Sequence, residues 1–168
     1  MVALAISVMT LPTVFQMFGG KPKIRVEFEK TILDELTVLR CHIWNQPVRN
    51  RVLRRLRVVR EPVEISVSFS VERTSGELVA PLVTPTITTE KESGKQVTLF
   101  YHAVPARVAI IIIKQNTAFI LYDDEKKLKP GGYVVNLDLI LSNATMHRYQ
   151  EKLVIGENAN QSYWRGPN

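Results

Sequence analysis

The sequence predicts an all-β fold, an antiparallel sandwich of about seven to nine strands behind an apolar N-terminal helix. Three observations carry that prediction. From Lys23 onward apolar residues recur at every second position, which is the spacing of a half-buried strand, and helical spacing is nearly absent. Clusters of glycine, serine, asparagine and proline interrupt the alternation about every ten residues. The first twenty residues, by contrast, contain no charged side chain.

An uncharged run of about 19 residues spans roughly 28 Å as a helix, close to the hydrocarbon thickness of a bilayer. Ser7, Thr10, Thr13 and Gln16 dilute it, and Pro12 sits mid-span, where membrane helices tolerate proline better than soluble ones do. Residues 1–20 therefore read as a membrane anchor. Two alternatives stay open: a cleaved signal peptide, leaving a secreted or periplasmic binding domain, and an apolar helix docked on its own domain. A basic n-region and a small-x-small cleavage site, both expected of a signal peptide, are missing. Lys21, Lys23 and Arg25 follow the run and no charge precedes it, so the positive-inside rule assigns the rest of the chain to the cytoplasm. Cys41 is the single cysteine, which excludes an intrachain disulfide and agrees with a reducing compartment.

The strands follow in order. "KIRVEFEK" sets Ile24, Val26 and Phe28 against charged neighbours, and "LTVLRCHIWN" (36–45) reads as a second strand. In "VEISVSFSVER" Val63, Ile65, Val67, Phe69 and Val71 share one face, and "RTSGE" ends the run. Pro81 and Pro85 break "LVAPLVTPTITTE", which suits an edge strand or an irregular connection. "VTLFYHAVP" follows the turn "ESGK". The continuous apolar run "ARVAIIII" is expected of a central strand, with "AFILYDD" after "KQNT" as its hairpin partner. "GYVVNLDLILS" and "HRYQEKLVI" complete the sandwich domain, 21–156, before a polar tail, 157–168, on which Tyr163 and Trp164 are the residues able to dock.

One local motif sharpens the fold. In "LKPGGYVVNLDL", Leu128, Pro130, Gly131 and Tyr133 match an L-x-P-G-x-Y turn, in which proline fixes one dihedral and glycine supplies a positive one. This resembles the turn before the penultimate strand of immunoglobulin-like domains, where a tyrosine hydroxyl closes a corner. The chain as a whole is similar to uncharacterised bacterial proteins that join an N-terminal membrane segment to an immunoglobulin-like domain, a resemblance that implies the fold and no activity. Two departures set it apart from antibody domains: the inter-sheet cysteine pair is missing, and Trp44 lies in the second strand instead of the third.

Chemistry-bearing residues are sparse. Cys41 and His42 are neighbours in a predicted strand, so they point to opposite faces and cannot act as a nucleophile and base with each other. His42, His102 and His147 lie on separate elements without metal-ligand spacing, so no metal is expected. Asp123, Asp124 and Glu125 lack the glycine and alternating ligands of a calcium loop. "GGK" at 19–21 lacks the spacing of a phosphate loop. No cofactor and no catalysis are expected.

The net charge of +6 has a local source. Arg49, Arg51, Arg54, Arg55, Arg57 and Arg60 lie between the second and third strands, interleaved with Val48, Val52, Leu53, Leu56 and Val59 at three-to-four spacing. That pattern predicts a short amphipathic helix whose apolar side caps the end of the sandwich. Because the second strand runs back toward the anchor, the band is expected at the anchor's end, facing anionic lipid. Two readings compete with lipid contact. The arginines also suit a solvated loop paired to Glu61 or Glu64, or a nucleic-acid surface. The latter lacks aromatic residues for stacking and any recognised motif. The expectation is a single-pass, membrane-tethered, non-catalytic binding or scaffolding domain whose protein partner the sequence does not name.

Overall fold

The computed structural model describes residues 21–33, 36–47, 51–55, 60–100, 104–122 and 126–166, the side chains of residues 53 and 54 excepted. In chain order the elements are β1 (Ile24–Leu33), β2 (Leu36–Asn45), the short helix α1 (Arg51–Arg55), β3 (Val63–Arg73), β4 (Leu78–Val83), β5 (Ile87–Thr88), β6 (Ser93–Gly94) and β7 (Gln96–Leu99). There follow β8 (Ala106–Lys114), β9 (Thr117–Ile120), β10 (Lys127–Leu128), β11 (Gly131–Leu141), β12 (Met146–Ile155) and β13 (Tyr163–Arg165). Every pairing is antiparallel, and the strands form two sheets around one apolar core, a β-sandwich.

In the first sheet β1, β2 and β8 are neighbours in that order, and the far side of β8 is shared by β5 and β9, which pair on with β6 and β10. The second sheet runs β13, β12, β11, β3, and the far side of β3 is shared by β4 and β7. The two-residue alternation explains the core directly. Leu39, Cys41 and Ile43 of β2, Ile65, Phe69 and Val71 of β3, and Val135, Leu137 and Leu139 of β11 are all fully buried. The run in β8 departs from strict alternation for a reason visible in its register. Leu39 pairs with Ile111 but Arg40 with Ala109, so a bulge at Ile110 turns two consecutive isoleucines into the core.

Two turns follow from their residues. Between β8 and β9, Gln115 and Asn116 both have positive φ, 47° and 60°, the geometry of a two-residue hairpin that matches strand twist. Before β11, Gly131 adopts φ +147°, and the hydroxyl of the buried Tyr133 donates to the Lys129 carbonyl at 2.6 Å. That bond pins the crossing from the first sheet to the second. Tyr133→Phe is expected to cost about 1–2 kcal/mol, read as a lower urea midpoint at unchanged m-value.

Within the polar tail expected over 157–168, Tyr163–Arg165 pairs with β12 at the edge of the second sheet. Trp164 lies on Phe28 with ring centroids 4.8 Å apart, and its indole N–H donates to the Glu29 carbonyl at 3.1 Å. Lys30 Nζ donates to the carbonyls of Asn160 and Ser162, so β13 ties the second sheet to the edge of the first. The proline-broken stretch is, as expected, an edge strand, β4, with a shifted register, followed by the two-residue β5. The apolar helix expected over 1–20 lies outside the described residues. Among those described, no helix is long and apolar enough to cross a membrane.

Candidate functional site

β2 ends at Asn45, whose side chain is buried at the base of the β2–β3 connection. Its Oδ1 accepts from the Lys23 N–H at 3.3 Å, and its Nδ2 donates to the Glu61 carbonyl at 2.8 Å. The Gln46 N–H donates to the Lys23 carbonyl at 2.8 Å, and Arg60 Nη1 donates to the Lys21 carbonyl at 2.5 Å. Both feet of the arginine-bearing connection are therefore fastened to residues 21–23. An asparagine suits this position because one side chain offers an acceptor and a donor to two separate backbone segments.

Between the feet, α1 carries Arg51 and Arg55 exposed to solvent. Val52, expected on the apolar side turned toward the sandwich, is instead 63% exposed. Arg49, Arg57 and the Arg54 side chain lie outside the described residues. Among the described residues, Arg51, Arg55 and Arg60 form no ion pair with Glu61 or Glu64. Arg60 keeps its Nε buried without a hydrogen-bond partner.

Apolar side chains surround the connection. Phe100 is half-exposed just past Leu99, which pairs with Val63 at the start of β3. The Lys91 ammonium lies over its ring, 5.1 Å from the centroid. The tip of the β11–β12 hairpin reaches the same end, where the Ser142 N–H donates to the Glu64 carbonyl. Ile140 and Met146 flank that tip, paired with each other and both exposed. This end of the sandwich thus mixes cationic and exposed apolar side chains, which is the composition of an interfacial surface.

The other singled-out residues do not converge. Cys41 is fully buried, and burial pushes its thiol up to about 12. His42 faces the opposite side of β2, with Nδ1 3.2 Å from Glu29 Oε2 and its ring edge-on to Trp44 at 5.4 Å. Burial lowers the His42 pKa, against the opposing pull of Glu29. His147 is on β12 in the other sheet, paired with Leu139. His102 and Asp123, Asp124 and Glu125 lie outside the described residues. Among those described, no three His, Cys, Asp or Glu side chains are placed to hold a metal ion.

One group escaped the sequence reading. The alternation in "HRYQEKLVI" that buries Leu153 and Ile155 puts His147, Tyr149 and Glu151 on the same face, so a carboxylate occupies a core-facing register. A charge at an inward position of the alternation is the sequence signal for it. Glu151, Tyr149, Gln150, Val26, Glu27, Phe28 and Trp164 line an open groove of about 450 Å³ between β1 and β12. No protein-family model, no curated protein and no solved structure matches this chain.

Proposed function

We propose that the chain is a membrane-tethered, immunoglobulin-like β-sandwich that serves as a non-catalytic binding or scaffolding module. Residues 1–20 form its anchor, the sandwich lies on the cytoplasmic side, and the β2–β3 connection faces anionic lipid. The observation that carries the reading is the fastening of Arg60 to Lys21 and of Asn45 to Lys23 and Glu61. With that fastening, an anchor at 1–20 holds the arginine band within a few residues' reach of the bilayer. The half-exposed Phe100 and Met146 at the same end favour insertion alongside charge.

Support for the immunoglobulin-like assignment comes from strand order. The arrangement β1-β2-β8-β5 against β3-β11-β12 corresponds to the A-B-E-D and C-F-G sheets of that fold, and Tyr133 stands where its corner tyrosine does. Such sandwiches host many functions, so the binding role rests on the surface and not on the fold.

The test has two parts. Full-length protein is expected in the membrane fraction and released only by detergent; recovery in the soluble fraction without detergent sinks the anchor. Residues 21–168, which contain every described element, are expected to sediment with anionic vesicles and not with neutral ones. Each basic residue near such a surface contributes about 1 kcal/mol, screened beyond a Debye length of about 10 Å at 0.1 M salt. Replacing Arg51, Arg54, Arg55 and Arg57 with glutamine is therefore expected to weaken partitioning by about two to three orders of magnitude. Unchanged sedimentation of the variant, or none by the parent, removes the lipid role. Binding of duplex DNA in preference to vesicles would replace it with a nucleic-acid one.

A further inference from the structure

The two sheets meet along one side where β1 and β12 both present main chain without a complete neighbour. β13 pairs with β12 only over Lys152–Val154, so among the described residues the outer side of β12 from Met146 to Glu151 carries no strand. β1 is the edge strand of its sheet, and the Lys23 carbonyl just before it accepts from the Gln46 N–H and so points toward β2. Strand alternation then turns the N–H and C=O of Ile24, Val26 and Phe28 away from β2. Two open backbone edges flank one seam, and between them lies the open groove of about 450 Å³.

The seam's lining is chemically unusual for the inside of a sandwich. Tyr149 and Glu151 stand opposite the fully buried Leu137 and Val135, in positions where an apolar side chain would extend the core. No cation among the described residues pairs with Glu151. Burial raises its pKa, opposed only by the neighbouring Lys152 backbone. Phe28, Tyr149 and Trp164 surround it with aromatic rings. A partly desolvated carboxylate among π faces is selective for a cation, in a protein that otherwise carries net charge +6.

We propose that this seam is a strand-addition site for an extended peptide segment bearing a lysine or arginine. The segment's backbone pairs with β12 ahead of β13, and its basic side chain turns inward onto Glu151 among the rings of Phe28, Tyr149 and Trp164. Main-chain hydrogen bonds give such a site its affinity and the inward pocket its selectivity. The proposal rests on the binding-module reading above and is independent of the anchor and of lipid contact. Its structural rival is that an inward charge merely guards an open edge against unwanted pairing.

Calorimetry on the full-length chain in detergent micelles tests it. The probe is a blocked octapeptide of alternating threonine and valine with one central lysine; its controls carry glutamine or glutamate there. The lysine peptide is expected to bind with a Kd below about 1 mM, and the glutamine peptide about tenfold more weakly. Glu151→Gln should bring the lysine peptide to the glutamine peptide's level, with folding checked by its melting curve. The comparison among peptides on the unaltered chain needs no variant at all. Equal affinity for the lysine and glutamine peptides overturns the proposal, as does undiminished binding by Glu151→Gln. No uptake at about 1 mM peptide, together with self-association of Glu151→Val in sedimentation velocity, assigns Glu151 to edge protection alone. Each of these failures leaves the fractionation and vesicle results standing.

Discussion

Phe69→Ala is expected to lower stability by about 3–5 kcal/mol and the melting temperature by roughly 10 °C. Phe69 is fully buried in the middle of β3, paired with Leu137 on one side and Val83 on the other. Truncation removes the ring's transfer free energy and leaves a cavity that paired strands on both sides prevent from collapsing. Against a total stability of about 5–15 kcal/mol, a loss of that size puts a measurable fraction of the chain in the unfolded state. Ile32→Ala is the internal control. Its side chain is 69% exposed, and its expected cost is below about 0.5 kcal/mol despite the similar apolar volume removed. Comparable losses at the two positions would mean that the inward register of β3 is wrong.

The contrast between Phe69 and Ile32 marks where reading the sequence succeeds. β2 and β3 take the bounds their alternation predicts, Leu36–Asn45 and Val63–Arg73, because each has one buried face and a period-two pattern specifies it fully. The isoleucine-rich β8 lies inside its sheet, as its continuous apolar run predicts. Alternation says which side chains turn inward but nothing about which strand lies alongside. The bulge at Ile110 was therefore invisible: it exists only because β2 and β8 must keep Leu39 and Arg40 in register with Ile111 and Ala109. Two-residue ladders such as β5, β6 and β10 are likewise too short for periodicity and arise from tertiary pairing.

At the candidate site the balance is similar. Composition located the arginines, and strand parity placed the β2–β3 connection at the end where residue 21 emerges. The fastening itself came from Asn45, an unremarkable polar residue at a strand end, through bonds to segments 16 and 22 residues away in sequence. Val52, expected on the apolar side of the helix, is exposed, and the other residues of that side lie outside those described. Glu151 is legible in the alternation of β12. A carboxylate at an inward position breaks the pattern its strand otherwise obeys, and such breaks are where function competes with folding.

Cys41 supplies the second large effect. It sits on the inward face of β2 between Phe28 and Val108, and burial raises its thiol to about 12 from an ordinary 9.0. At pH 8 that shift cuts the reactive thiolate by about three orders of magnitude relative to a free cysteine. Alkylation must then proceed through opening of the sandwich, at a rate scaled by the open population. For a stability of 5 kcal/mol or more that population is about 10⁻³ or less. Iodoacetamide labelling at pH 8 is therefore expected to run at least about a thousandfold slower on the folded chain than in guanidinium. Phe69→Ala should accelerate it by about two to three orders of magnitude, since the same cavity cost of about 3–5 kcal/mol enters the opening equilibrium. Labelling of the unaltered chain within about tenfold of the unfolded control would place Cys41 in solvent, and with it the inward face of β2.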